Sequence, residues 1–214
     1  MNILTISREA IDLPPGSEVT LRYQTWEDYE SLLHSRQDKA GIRIRYSGRR
    51  QEIRIMAPLP GQGKRVVTLA DLVKTLLRYQ KRDWEAFDPI TLKRSSQGGI
   101  EPDACFYIQN RTAILGKERI DLTIDPPPDL AIEVDLTSST QIEDYLPIAI
   151  PEVWIYRRGD LLLYHLESQQ YQDSGESRIF PEVNVKQIFP KYVERAWEFG
   201  SSIALREFEQ FLAG

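Results

Sequence analysis

Asp129-Leu-Ala-Ile-Glu-Val-Asp135 is the stretch whose reading decides the fold of this chain. As a strand it sets Leu130, Ile132, Val134 and Leu136 on one face and Ala131, Glu133 and Asp135 on the other. Two carboxylates on an otherwise apolar strand are costly to bury unless a partner or a metal offsets their charge. About thirty residues upstream, Glu101-Pro-Asp-Ala-Cys-Phe-Tyr-Ile108 has the same character. It places Glu101, Asp103 and Cys105 on one face and Pro102, Ala104, Phe106 and Ile108 on the other. If the two strands are neighbours, three or four acids meet at one place, which is the outline of a divalent-metal site.

Working outward, Asp125-Pro-Pro-Pro128 is a stiff, extended lead-in to the 129–136 strand. After it, Thr137-Ser-Ser-Thr140 offers caps for a helix over about 141–148, which Pro147 shortens or kinks. The runs 153–156 and 161–166, separated by Arg157-Arg-Gly-Asp160, read as a hairpin. Upstream, Thr25 is a candidate N-cap for a helix over 26–34, with acids in its first turn. Two short strands, 42–46 and 52–56, flank Ser47-Gly-Arg-Arg50 as a second hairpin. A longer helix over about 64–80 carries Val66, Leu69, Val73, Leu76 and Leu77 as its buried stripe. Short strands are expected at 84–87 and 90–94, then a flexible Ser95-Ser-Gln-Gly-Gly99. Residues 1–24 read as an extended arm, and a helical tail covers roughly 189–214. The order of elements predicts a single α/β domain over 1–214, a mixed sheet flanked by helices.

The composition sets bounds. With 214 residues, 41% hydrophobic and 28% charged, the chain suits one ordinary globular core. No apolar run approaches the roughly 18 residues of a membrane span, and no signal-peptide pattern opens the chain. The single cysteine, Cys105, excludes an internal disulfide and suits a reducing compartment, so the cytoplasm is the expected location. Charge is unevenly spread: residues 36–94 hold 15 Lys/Arg against 6 Asp/Glu, while the rest holds 12 against 26. The basic half is either a nucleic-acid surface or the partner of the acidic half. Arg43, Arg45, Arg49 and Arg50 of the first hairpin and Arg65, Lys74 and Arg78 of the long helix are the candidate phosphate contacts. No Walker loop, dinucleotide fingerprint or serine–histidine pairing is present.

Pro102-Asp103, a spacer and Glu133-Val134-Asp135 resemble the Pro-Asp…(Asp/Glu)-x-Lys signature of the restriction-endonuclease-like superfamily. The surrounding runs at 101–110, 125–138 and Ile150-Pro-Glu-Val-Trp-Ile-Tyr156 resemble the bacterial endonucleases of the Uma-two family, over roughly residues 20 to 170. The resemblance implies a mixed sheet flanked by helices and a DNA endonuclease that uses Mg²⁺ (or Mn²⁺), with a homodimer as the expected assembly for cutting two strands. It makes Asp103 and Glu133 the metal ligands, joined by the Val134 carbonyl, with Asp135 or Glu101 completing the shell. The motif lysine falls on Asp135, an acid where the motif has a base. In relatives that take the lysine from the next helix, its place falls near Gln141, or near Glu143 when counted from the strand, and no lysine lies between Lys117 and Lys186. Lys93 and Lys117 are the nearest substitutes. Two alternatives stay open. The acids are ion-paired or capping groups, Asp135 most readily so, or the chain is a non-catalytic module of the same fold that binds nucleic acid or a protein.

Overall fold

Alternation along 42–56 builds the first layer. The computed structural model describes residues 13–36, 41–137 and 139–214. In chain order its elements are β1 (Glu18–Arg22), α1 (Trp26–Arg36), β2 (Arg43–Ser47), β3 (Glu52–Met56) and α2 (Pro60–Tyr79). Then follow β4 (Glu85–Phe87), β5 (Leu92–Arg94), β6 (Gly98–Ile100), β7 (Ala104–Tyr107) and β8 (Leu130–Asp135). The chain continues through β9 (Glu152–Arg157), β10 (Asp160–Glu167), β11 (Gln170–Ser174), α3 (Val185–Phe199) and α4 (Ser201–Ala213).

The strands form two sheets, one ordered β1-β3-β2-β6-β5 and the other β11-β10-β9-β8-β7-β4. Ile44, Tyr46, Ile53 and Ile55 give the first sheet an apolar face that packs on Tyr29 and Leu32 of α1. Thr25 starts α1 as its sequence suggests. Its hydroxyl accepts from the Asp28 N–H at 3.2 Å, and Asp28 accepts from the Thr25 N–H at 2.8 Å, a reciprocal capping pair. The stretch expected as an arm holds β1, paired antiparallel with β3; residues 1–12 lie outside the described residues.

In the second sheet β8 runs parallel to β9 and antiparallel to β7. Leu130, Ile132 and Val134 face the helices and join a core with the α2 stripe (Val66, Leu69, Val73, Leu76, Leu77), Phe189 of α3 and Phe208 of α4. Ala131, on the opposite face of β8, joins a second core with Ile100, Tyr145, Ile148, Ile150 and Val153. That core includes the crossover a parallel pair requires. The helix expected over 141–148 is only a 3-10 turn, Ile142–Tyr145, because Pro147 cannot continue a helix.

The strand expected over 101–108 is shorter: only β7 (Ala104–Tyr107) forms within it, and it belongs to the second sheet. β6 ends at Ile100 in the first sheet and β7 begins at Ala104 in the second, with Glu101-Pro102-Asp103 crossing between them. Pro102 has no N–H to give a ladder, so pairing breaks there. β6 itself occupies the glycine-rich run expected to be flexible. Gly99 pairs with Tyr46, and a Cβ at Gly99 would overlap the Tyr29 ring, which stacks on Tyr46 at 5.4 Å. A strand glycine marks a close approach of this kind.

Gly99→Ala should therefore lower stability by about 1–3 kcal/mol. Gly63→Ala, inside α2 with nothing within 4 Å of its added methyl, should be neutral or stabilising. Urea unfolding of the two variants checks this. Equal effects would mean that Gly99 is a loop glycine.

Candidate acid site at the seam of the two sheets

The β7–β8 register pairs Ala104 with Ile132, which sets Asp103 level with Glu133 where the two sheets meet. Both carboxylates are buried, at 2% and 1% exposure. Asp103 Oδ2 accepts from the Val134 N–H at 2.9 Å and from Gln62 Nε2 at 3.2 Å. Its Oδ1 lies 3.9 Å from Arg43 Nε. Glu133 Oε2 pairs with Arg45 Nη2 at 2.7 Å, and its Oε1 accepts from the Tyr145 hydroxyl. Burial pushes the Glu133 carboxyl up to about 8, against the pull of Arg45, with Asp103 adding to the rise. Burial alone would depress the Arg45 guanidinium, but Glu133 and its neighbours more than reverse this and keep it cationic.

The other acids go elsewhere. Asp135 accepts from the Thr140 N–H at 2.9 Å and hydroxyl at 2.7 Å, and from Arg157 Nη2 at 2.6 Å. It is the capping and ion-paired acid of the structural alternative. Glu101 faces the first sheet, where it holds Arg36, the Ile44 N–H at 2.8 Å and the Thr91 hydroxyl at 2.7 Å. Gln141 is exposed at the start of the 3-10 turn, and its side chain makes no cap hydrogen bond. Lys93 is held by Glu30 at 2.7 Å and Lys117 by Asp125, so both candidate substitutes for the lysine are engaged away from the acid pair. Cys105 is buried, and burial pushes its thiol up, as suits a packing residue.

The seven basic candidates separate into three groups. Arg43 and Arg45 stand at the acid pair, on one face of β2. Arg49 is exposed in the hairpin turn, while Arg50 reaches Asp144 and Glu52. On α2, Arg65 lies 4.1 Å over the Trp197 ring, Lys74 is 3.7 Å from Asp71, and Arg78 bonds the Thr75 hydroxyl at 2.9 Å. Much of the basic half thus answers acids within the chain.

Among the described residues, no group of three or more His, Cys, Asp or Glu is arranged to hold a metal ion. The donors at the acid pair nevertheless suit a hard divalent cation. Gln62 is 1% exposed and its Oε1 is buried without a hydrogen-bond partner, beside Asp103. The Val134 carbonyl lies on the same strand edge as its N–H, the edge facing Asp103. Two carboxylates, an amide oxygen and a backbone carbonyl make an all-oxygen set. Gln62 was hidden because Pro58-Leu-Pro-Gly-Gln-Gly63 reads as a linker before a helix near 64. The signal was Pro60, since proline favours the first helical turn and α2 begins there.

The family model described as "Putative restriction endonuclease" (Uma2) matches residues 26–198. A crystal structure of a "putative nuclease belonging to DUF820" from Anabaena variabilis is similar at a TM-score of 0.50 and 16% identity. The similarity covers 85% of this chain and 98% of that one, a likeness of fold. No curated protein matches the sequence. With most of its length matched by that family model and its two acids brought together by the β7–β8 pairing, the chain belongs to the Uma2 restriction-endonuclease family.

Proposed function

We propose that this protein is a divalent-metal-dependent endonuclease that hydrolyses DNA phosphodiester bonds, using Mg²⁺ or Mn²⁺ at Asp103 and Glu133. The observation that carries the reading is the placement of these two buried carboxylates side by side, next to an orphaned amide oxygen and two guanidiniums. Asp103, Glu133, the Val134 carbonyl and Gln62 Oε1 would hold the cation. When bound, it would acidify a water and offset charge on the scissile phosphate. The protein's own part is orientation. The Val134 N–H and Gln62 fix the Asp103 carboxylate, Tyr145 fixes that of Glu133, and the apolar layers on either side keep bulk water from the pair.

A homodimer is the assembly that cutting both strands of a duplex asks for. No helix among the described residues is long and apolar enough to cross a membrane, and a cytoplasmic site of action is the reading we adopt. A second reading has its own support. Arg45 already neutralises Glu133, and the position expected for a helix lysine carries the exposed Gln141. A non-catalytic member of the fold, binding nucleic acid or protein, would look like this.

Cleavage of supercoiled and linear DNA with Mg²⁺, Mn²⁺ or EDTA separates the two. Asp103→Ala and Glu133→Ala should each lower metal-dependent cutting by at least about 100-fold. Asp135→Asn, altering a group bound to Thr140 and Arg157, should keep activity within about tenfold of wild type wherever the variant folds. Cutting that is absent from wild type, or that survives in both alanine variants, favours the non-catalytic reading.

Glu133 gives a pH dependence of known sign. Its folded pKa of about 8 lies above the unfolded value near 4.3, so the folded state keeps a proton that the unfolded chain has lost. The stability it contributes is full below about pH 4 and is lost as pH rises towards 8. In EDTA, the Tm of wild type should therefore fall more between about pH 5 and 9 than that of Glu133→Gln. Parallel Tm curves would mean that Glu133 titrates normally.

A further inference from the structure

Among the described residues, the cations that pair with the two acids are arginines and not lysines. We propose that Arg45, with Arg43 on the same face of β2, is the cation of this site and binds the phosphodiester directly. The two would take the task for which the motif uses a lysine. This inference rests on the nuclease reading above and assigns the charged group that reading lacks.

Three features support it. First, Arg45 is placed by burial and not by chance: its side chain is 11% exposed, Nη2 lies 2.7 Å from Glu133 Oε2, and Nη1 lies 3.3 Å from the Thr140 hydroxyl. Guanidinium charge so held needs no reorganisation when an anion arrives. Second, Arg43 has donors to spare. Its Nε is buried without a hydrogen bond, and its ion pairs with Asp103 and the exposed Asp88 are long, at 3.9 and 4.0 Å. Third, Arg54 stands directly opposite Arg45 across the β2–β3 ladder and is held by Asp144 at 3.0 Å. Like charges facing each other across a ladder are unfavourable, and here they line a small recess with Arg43, Glu18, Met56, Ser139 and Thr140, so that three arginines face one carboxylate. An anionic oxygen entering that recess would relieve the repulsion.

Access is also provided. Arg43 forms a wall shared by this recess and a cleft of about 480 Å³, which Phe87, Pro89, Ile90, Lys93 and Arg119 also line. Its size is that of a small-molecule site, and its lining mixes apolar surface with the basic Arg36, Arg43, Lys93 and Arg119 and the acidic Glu101 and Glu118, of which Arg36 and Glu101 pair with each other. A nucleic-acid strand in the cleft would present a phosphate to Arg43 and then to Arg45, beside Asp103 and Glu133. Guanidinium forks suit phosphate oxygens better than an ammonium does.

The test is salt-dependent binding of a fluorescent DNA duplex and a single strand in EDTA, alongside cleavage with Mg²⁺. Because Arg45→Met leaves Glu133 buried without its cation, the fold is protected by comparing Arg45→Met/Glu133→Gln with Glu133→Gln alone. Arg43→Met and Arg45→Lys are compared with wild type. Loss of either arginine should reduce the slope of log affinity against log salt by about one, and Arg45→Lys should keep it. Cleavage by Arg43→Met should fall at least about 100-fold, with Arg45→Lys within about tenfold of wild type. Unchanged slopes in both the double variant and Arg43→Met, or no salt-dependent DNA binding by wild type, overturn the proposal. Slopes that change while wild type cuts no DNA keep the phosphate contacts and remove only the nuclease reading.

Discussion

The pairing of Arg45 with Glu133, 2.7 Å apart and almost wholly out of water, is the contact on which this architecture turns. It joins β2 of one sheet to β8 of the other, and it does not stand alone. Arg54 with Asp144 and Arg36 with Glu101 are further buried pairs bridging segments far apart in sequence. Desolvating such charges costs several kcal/mol per ion, and the pairs offset that cost only in good geometry. Removing a single partner from a buried pair typically costs about 3–5 kcal/mol, because the other charge is left unanswered. The seam is thus less a source of net stability than a device that permits one register between the sheets.

The same seam explains why structure and site cannot be separated here. Glu133 is at once a partner in the interface between the sheets and half of the buried acid pair. Its neighbours hold it from both oxygens, Arg45 on one and Tyr145 on the other. An ionised carboxylate has about four acceptor positions, so two donors do not exhaust it. Gln62 Oε1 supplies an acceptor with no donor, in a place where an uncompensated polar atom would otherwise be a pure cost.

Much of this was legible along the chain. Alternation in 42–46, 52–56 and 129–136 gave the strands, the three- and four-residue spacing gave α2, and Thr25 with Asp28 gave the start of α1. These signals are local, because each depends on which face of a short element is apolar. Gly98 and Gly99 misled because glycine is read as freedom, whereas here the missing side chain admits the Tyr29 ring from α1, more than sixty residues away. Pro102 was read as part of one strand, although a residue without an N–H is a natural place to change sheets.

The sequence by itself determined the α/β class and the family, since strand periodicity and the runs around Pro102-Asp103 and Glu133 are carried by residues close together in the chain. Only the tertiary structure decided what the acids meet. Asp135 goes to Thr140 and Arg157, Glu101 to Arg36, and Glu133 to Arg45. An alternating Ile-Arg-Ile-Arg strand looks the same whether its charged face meets solvent or a second sheet. The choice is made by the second sheet, whose carboxylates are buried on the opposing side and leave the arginines as the groups that can answer them.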